Sequence, residues 1–321
     1  MGKLELTVAL GDYDRTSALR TGLVCPEGME LNVLTLSPEE MFHRMGRFRE
    51  LDVSEFSLST YTIRRGRGEP LIAIPVFPSR MFRHSSVYVR DGAGIAEPSD
   101  LRGKRMGVPK YHMTAAVWIR GILEDEYGVA PKDMQWFEGG EGASVKEVDV
   151  TLPPEIPLQY VAGDRHLGQM LAAGELDAYM GARKPPGFGK GISRLFPDYR
   201  RVERDWYAKT GIFPIMHTVV LKEELAQQHP WLPRNLYAAF MVAKQHAYQR
   251  LDSTAALATS LPWQVAEAEE TRALMGDDPF PYGIARNRTN IETLVGLSHR
   301  QGLAPRRLSL QEMFVESLLD T

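Results

Sequence analysis

Three short runs of this chain carry the side chains best suited to chemistry. The run FPSRMFRHSS at 77–86 places Arg80, Arg83 and His84 just beyond an apolar stretch, and residues 61–90 hold six arginines against one acidic residue, Glu69. A planar guanidinium fork engages a carboxylate through two parallel hydrogen bonds, so Arg80 and Arg83 read as an anion site, whereas Arg64, Arg65 and Arg67 read as a solvated turn. In SEFSLST at 54–60, Ser57, Ser59 and Thr60 stand where a strand gives way to a helix, with Glu55 the leading carboxylate. Hydroxyls and free backbone N–H groups at such a helix start cap the helix or hold an anion, and Thr114 occupies the analogous place further along the chain. His84, His112 and His217 are the histidines set closest to these strand ends.

The same inventory excludes several classes of chemistry. None of the eight histidines shows HxH, HxxxH or HExxH spacing, so nothing in the sequence demands a metal, and nothing rules out a divalent one. GARKPPGFGKG at 181–191 fits neither of the glycine-rich phosphate-binding patterns and reads as a loop. Cys25 is the only cysteine, which leaves no internal disulfide and no thiolate zinc set. A net charge of −3 gives no electrostatic reason to expect a nucleic acid or an anionic membrane as partner. No apolar run approaches the ~20 residues that span a bilayer. The opening MGKLELTVALGDYD alternates as a strand rather than as a leader, which points to the cytoplasm. A small molecule is the expected partner, and a homo-oligomer is left open.

Positioning these residues falls to alternating strands and helices. Residues 4–10, 31–36 and 71–77 read as strands, and Ser37-Pro38-Glu39-Glu40 is a strong helix start followed by a stripe of Met41, Phe42, Met45 and Phe48. A second series follows: strand 105–109, a helix with Ala116, Ile119, Ile122, Leu123 and Tyr127 on one stripe, and strand 134–137. Residues 138–163 read as loop with one short strand. The tripeptide Glu-Leu-Asp occurs at 50–52 and again at 175–177, each time between a helix and a short strand. Two such series imply two parallel sheets whose carboxyl edges face one another across a cleft. Strand 213–221 and a helical remainder bring the chain back. The expected first lobe is therefore 1–88 with 215–321, and the inserted second lobe is 89–214, with the hinge in SSVYVR and FPIMHTVV.

DLRGKRMGVPKYHMTAAVWIRGIL and GELDA resemble the second lobe of the type II periplasmic-binding-protein fold. ELDVSEFSLSTY, FPSRMFRHSSVYVR, FPIMHTVV, HPWL and PYG together resemble the 4,5-dihydroxyphthalate decarboxylase family over almost the whole chain. The resemblance implies a two-lobed α/β fold with a central cleft and a helical C-terminal part. It also implies cofactor-independent decarboxylation of a hydroxylated aromatic carboxylate, with the ring itself as electron sink. In that frame Arg80 and Arg83 would bind a carboxylate, His84 would donate the proton, and Glu55 or His217 would act at the hydroxyl side. Ser57, Ser59, Thr60, His112 and Thr114 would complete the substrate site. The alternative is a solute-binding protein of the same fold that closes on an organic anion without chemistry.

Overall fold

The computed structural model describes residues 2–139, 148–163 and 165–321. Its layering follows from strands too apolar to face water: the first eight residues of Leu71–Arg80 are all buried, so that strand needs cover on both faces. Four strands open the chain, β1 (Leu4–Leu10), β2 (Met29–Thr35), β3 (Val53–Ser57) and β4 (Leu71–Arg80). Six follow, β5 (Val87–Arg90), β6 (Arg105–Val108), β7 (Gln135–Glu138), β8 (Leu158–Tyr160), β9 (Ala178–Met180) and β10 (Ile192–Arg194), and β11 (Ile215–Lys222) comes last.

They form two sheets, β2-β1-β3-β11-β4 and β10-β5-β9-β6-β7-β8. In the first, β1 pairs in parallel with β2 and β3, and β11 lies antiparallel between β3 and β4. The second repeats this plan: β6 pairs in parallel with β7 and β9, and β5 lies antiparallel beside β9. The antiparallel strand of each sheet is thus the first one reached after the chain crosses from the other, giving a two-lobed α/β molecule. Part of the stretch expected as loop, residues 140–147, lies outside the described residues, and the short strand expected nearby is β8.

The Glu-Leu-Asp repeat has a physical role at the base of each sheet. Thr7 donates its backbone N–H to Asp52 Oδ2 at 3.0 Å, and Arg105 donates its own to Asp177 Oδ2 at 3.0 Å. In return the Asp52 and Asp177 N–H groups donate to the Thr7 and Arg105 carbonyls, each at 3.0 Å. Each aspartate therefore locks β3 onto β1, or β9 onto β6, at the strand start, and a cation completes the lock: Lys222 on Asp52 and Arg105 on Asp177. With the register set there, the opposite strand ends reach the cleft.

Helix Pro38–His43 starts as its sequence requires, with the Ser37 hydroxyl accepting from the Glu40 N–H and Pro38 in the first turn. The expected stripe fails at Phe48. A π-helical turn over Arg44–Phe48 adds a residue to the repeat, so Met41 and Met45 stay buried while Phe48 swings out to 59% exposure. Helix Thr114–Tyr127 is buried over its first ten residues rather than along one stripe. The Trp118 indole donates to the Ile215 carbonyl at 3.0 Å, and Arg120 Nε donates to Gln301 Oε1 at 2.9 Å, so this helix is wedged between β11 and the C-terminal helices.

Removing either aspartate strands a backbone donor at a strand start. Asp52→Ala and Asp177→Ala are each expected to lower stability by about 1–3 kcal/mol, read as a shift of the urea midpoint with an unchanged slope. A loss near zero in both would show that the repeat does not set the register.

Candidate active site

A cavity of about 640 Å³ lies between the two sheets, walled by the residues at their facing strand ends. Tyr13 follows β1, Ser57 ends β3, Ser79 lies in β4 and Arg83 follows it, and His217 stands near the start of β11. From the other side come Lys110 after β6, Met113 and Thr114 at a helix start, and Arg183 after β9. Glu39, Glu40, Phe42 and His43 on helix Pro38–His43 complete the wall.

Behind the first-sheet wall sits Glu55, fully buried. Its carboxylate accepts from the Gly11 N–H at 2.8 Å and the Tyr13 hydroxyl at 2.7 Å, and lies 2.5 Å from His217 Nδ1. Burial alone would push this carboxyl up, but the hydrogen bond and charge of His217, with the Gly11 and Tyr13 donors, outweigh it and hold it below the usual carboxylate range. Burial, and then the charge of Glu55, push the Tyr13 phenol well above its ordinary value, so it stays a donor. In the neutral form of the ring, an ionised Glu55 favours the tautomer with the proton on Nδ1, and Nε2 is then the acceptor. Strand geometry produces this pair. Val219 is the partner of Glu55 across β3 and β11, so His217, two residues earlier, lies diagonally beside Glu55 on the same face. The pairing of β11 with β4 shifts register on both sides of His217, an irregularity of the kind that re-aims a side chain at a sheet rim.

Arg83 is 5% exposed and lines the cavity. Its Nε contacts Met216 Sδ at 3.2 Å and one Nη lies 3.5 Å from the Ser86 hydroxyl, both weak acceptors for a group with five N–H donors. Among the described residues no carboxylate forms an ion pair with it. Burial pulls it down to about 10, so it remains a cation at neutral pH. Arg80, three residues earlier, is differently placed. It is not among the lining residues, and its guanidinium donates to the Phe213 carbonyl at 3.1 Å, to the Pro281 carbonyl at 2.8 Å and to Asn287 Oδ1. The anion site expected of the two arginines therefore has only Arg83 at the cavity, because Arg80 ends a buried strand and turns into the core.

His84 is a second correction. It is 2% exposed, absent from the cavity wall, and packed edge-on against Phe196 and Trp206 at centroid distances of 5.4 and 5.5 Å. Burial pulls it down to about 4, which favours a neutral ring at neutral pH, and its place off the wall sets it apart from the proton-donor role expected of it. His112 is also buried and off the wall, although its neighbours Lys110 and Met113 are on it. Ser57, Thr60 and Thr114 do meet. The Ser57 and Thr114 hydroxyls lie 3.0 Å apart, the Ser59 N–H donates to Thr114 Oγ1 at 3.0 Å, and the Thr60 hydroxyl donates to Ser57 Oγ at 3.1 Å. Two helix starts from opposite lobes thus form one hydroxyl-lined floor. Ser59 itself is fully buried and not on the wall.

Tyr13, His43, Ser79, Lys110 and Arg183 had no sequence motif to mark them. Tyr13, Lys110 and Arg183 each follow a parallel strand within three residues, the position where open α/β sheets present ligand contacts, and that rule is the signal that would have found them. Among the described residues, no group of three or more His, Cys, Asp or Glu side chains is arranged to hold a metal ion. No helix among them is long and apolar enough to cross a membrane.

No protein-family model matches the chain. It is 41% identical over 327 aligned positions, covering 100% of this chain and 99% of the relative, to a 4,5-dihydroxyphthalate decarboxylase of Comamonas testosteroni. It is 40% identical over 213 positions, 64% of this chain and 83% of the relative, to a 4,5-dihydroxyphthalate decarboxylase of Pseudomonas putida. Among solved structures, the periplasmic aliphatic sulphonate binding protein of Escherichia coli is similar with a TM-score of 0.56 at 12% identity, over 100% of both chains. A desulfurization enzyme is similar with a TM-score of 0.51 at 14% identity, over 99% of this chain and 98% of its own. Both structural likenesses concern the fold alone.

The burial of His84 has a pH signature. The unfolded chain takes up its proton near pH 6.5 and the folded protein only near 4, so the unfolded state binds more protons between those values and stability falls as pH drops through that window. The loss from this group is expected to be on the order of 2–3 kcal/mol between pH 7 and pH 4, and His84→Gln is expected to remove that part of it. Denaturant titrations at both pH values read this. A variant that loses as much as the parent would place His84 in a solvated, titrating setting.

Proposed function

The chain belongs to the 4,5-dihydroxyphthalate decarboxylase family, and from that premise we propose that it converts 4,5-dihydroxyphthalate to 3,4-dihydroxybenzoate and carbon dioxide in the cleft between its sheets. The observation that carries the assignment of roles is a buried guanidinium, without an ion pair among the described residues, and a carboxylate-backed imidazole lining one cavity.

The substrate supplies its own electron sink. Each carboxylate is para to a ring hydroxyl. When that hydroxyl loses its proton, electron density reaches the carboxyl-bearing carbon, which takes up a proton. The bond to the carboxyl group then breaks, its electron pair restores the aromatic ring and the para oxygen as phenolate, carbon dioxide leaves, and the phenolate regains a proton. One proton is consumed at carbon and no cofactor takes part.

His217 is the base in this reading. Its Nδ1 proton is held by Glu55, so Nε2 takes the hydroxyl proton and the buried carboxylate stabilises the imidazolium that forms. Tyr13 and Gly11 keep Glu55 ionised and oriented. Arg83 holds the retained carboxylate through hydrogen bonds that nothing else in the site competes for strongly. Ser57, Thr60 and Thr114 offer hydroxyls to the ring substituents. Lys110 and His43, both on the wall, are the candidate acids facing the carbon. A cytoplasmic location belongs to the same proposal, and cell fractionation against a periplasmic marker tests it.

Release of carbon dioxide from 4,5-dihydroxyphthalate is the primary test, and tight binding of that compound without release would return the chain to the binding-only alternative. His217→Gln is expected to lower kcat by about 10²–10⁴-fold with little change in KM. Arg83→Met should instead raise KM by about 10–100-fold, with Arg83→Lys rescuing it only in part because ammonium lacks the two-point geometry. A folded His217→Gln protein with normal kcat would remove the base from this scheme. Exhaustive dialysis against a chelator is expected to leave the rate unchanged, and restoration of a lost rate by one divalent ion would show a metal requirement.

A further inference from the structure

The cavity wall carries a second arginine whose partner is oddly exposed. Arg183, three residues beyond β9, pairs with Glu39 on helix Pro38–His43, Nη2 to Oε1 at 2.7 Å, and both residues line the cavity. One partner comes from each sheet's side of the cleft, 144 residues apart in the chain. Their side chains are 62% and 55% exposed, so the pair is well solvated and contributes little to holding the halves together. Arg83 is the opposite case, a buried guanidinium with no carboxylate paired to it among the described residues. One wall therefore presents a fixed anion hole in the interior and an exchangeable cation at the rim.

The reaction gives that difference a use. Resting on the decarboxylase reading, we propose that Arg183 is the residue that distinguishes the dicarboxylate substrate from its monocarboxylate product, and that Glu39 is a built-in carboxylate it exchanges for the substrate's second one. Arg83 keeps the carboxylate that survives, and Arg183 takes the one that leaves. A guanidinium fork forms the same two-point contact with a ligand carboxylate as with Glu39, but the ligand's lies farther inside, where water competes less. Once the carbon–carbon bond breaks, the group at Arg183 is neutral carbon dioxide, which has no charge to hold it. Arg183 then returns to Glu39, and the product leaves with one anchor instead of two. The second Glu-Leu-Asp repeat explains the placement: Asp177 locks the start of β9 to β6, so the residues after β9 are delivered to the rim just as Asp52 delivers Ser57 to the floor.

Two substitutions separate this from a plain latch, because they should act in opposite directions. Calorimetric Kd values for phthalate and benzoate, which lack the ring hydroxyls needed for turnover, are measured on the parent protein, Arg183→Gln and Glu39→Gln. The parent should prefer phthalate. Arg183→Gln should weaken phthalate by about 10–100-fold while benzoate changes less than about twofold, and Glu39→Gln should tighten phthalate by about 2–5-fold. Equal weakening of phthalate by both variants, or equal weakening of phthalate and benzoate by Arg183→Gln, would make the pair a latch and overturn the assignment. Carbon dioxide release from 4,5-dihydroxyphthalate by the parent is followed in parallel. Its absence would sink the decarboxylase reading by itself, while the phthalate and benzoate constants still decide what Arg183 recognises.

Discussion

A carboxylate with no exposure to water must be compensated on the spot, and Glu55 sets that requirement for the whole first sheet. Its three partners come from two separate parts of the chain: the Gly11 N–H and Tyr13 hydroxyl from the turn after β1, and His217 from β11. Only the order β1-β3-β11 brings them around one side chain. The same order places His217 on the cavity wall, so the interactions that make Glu55 tolerable inside the protein are also those that orient the imidazole to which we assign proton transfer. Stability and chemistry are coupled here through one buried charge.

The cavity floor is shared by both halves in a comparable way. Ser57 and Thr114 sit at the starts of two helices whose first residues meet, and their hydroxyls satisfy one another and the Ser59 N–H. Helix Thr114–Tyr127 is then held from behind by Trp118 on β11 and Arg120 on Gln301. At Gly121 it packs tightly on the C-terminal helices: a Cβ there would lie 2.5 Å from Leu297 side-chain carbons. That contact accounts for a helix buried nearly all round where its sequence suggested a single apolar stripe.

Much of this was legible in the chain, and the failures share a cause. Strand and helix periodicity, the capped helix at Ser37 and the two-sheet plan are local patterns, and they stand in the structure. Ser57, Thr60, Thr114 and His217, which lie near strand ends, line the cavity, and Glu55 sits behind them against His217. Arg80 and Arg83 look alike in sequence. What separates them is the carbonyl and amide set at Phe213, Pro281 and Asn287, more than 130 residues away, which absorbs one guanidinium and not the other. His84 was misread for the same reason, since Phe196 and Trp206 seal it from a distant part of the chain. Phe48 was lost to a single π-helical turn that no periodic pattern announces. Arg183 lies in a loop without period, and only the matching of the two sheets brings it into view.

The place of β11 also governs how the protein can be made. It fills the slot between β3 and β4, yet it is synthesised after every strand of the second sheet. While the ribosome is extending residues 81–214, β3 and β4 have no partner in that slot, and Glu55 lacks the histidine that faces it. Two apolar strand edges are therefore open to wrong pairing until the chain has grown past Lys222. The second sheet, whose strands lie within one continuous stretch, can assemble first, and the first sheet closes around the returning strand by contacts of large sequence separation, which form slowly. A nascent chain stalled before β11 is thus a natural client for chaperones.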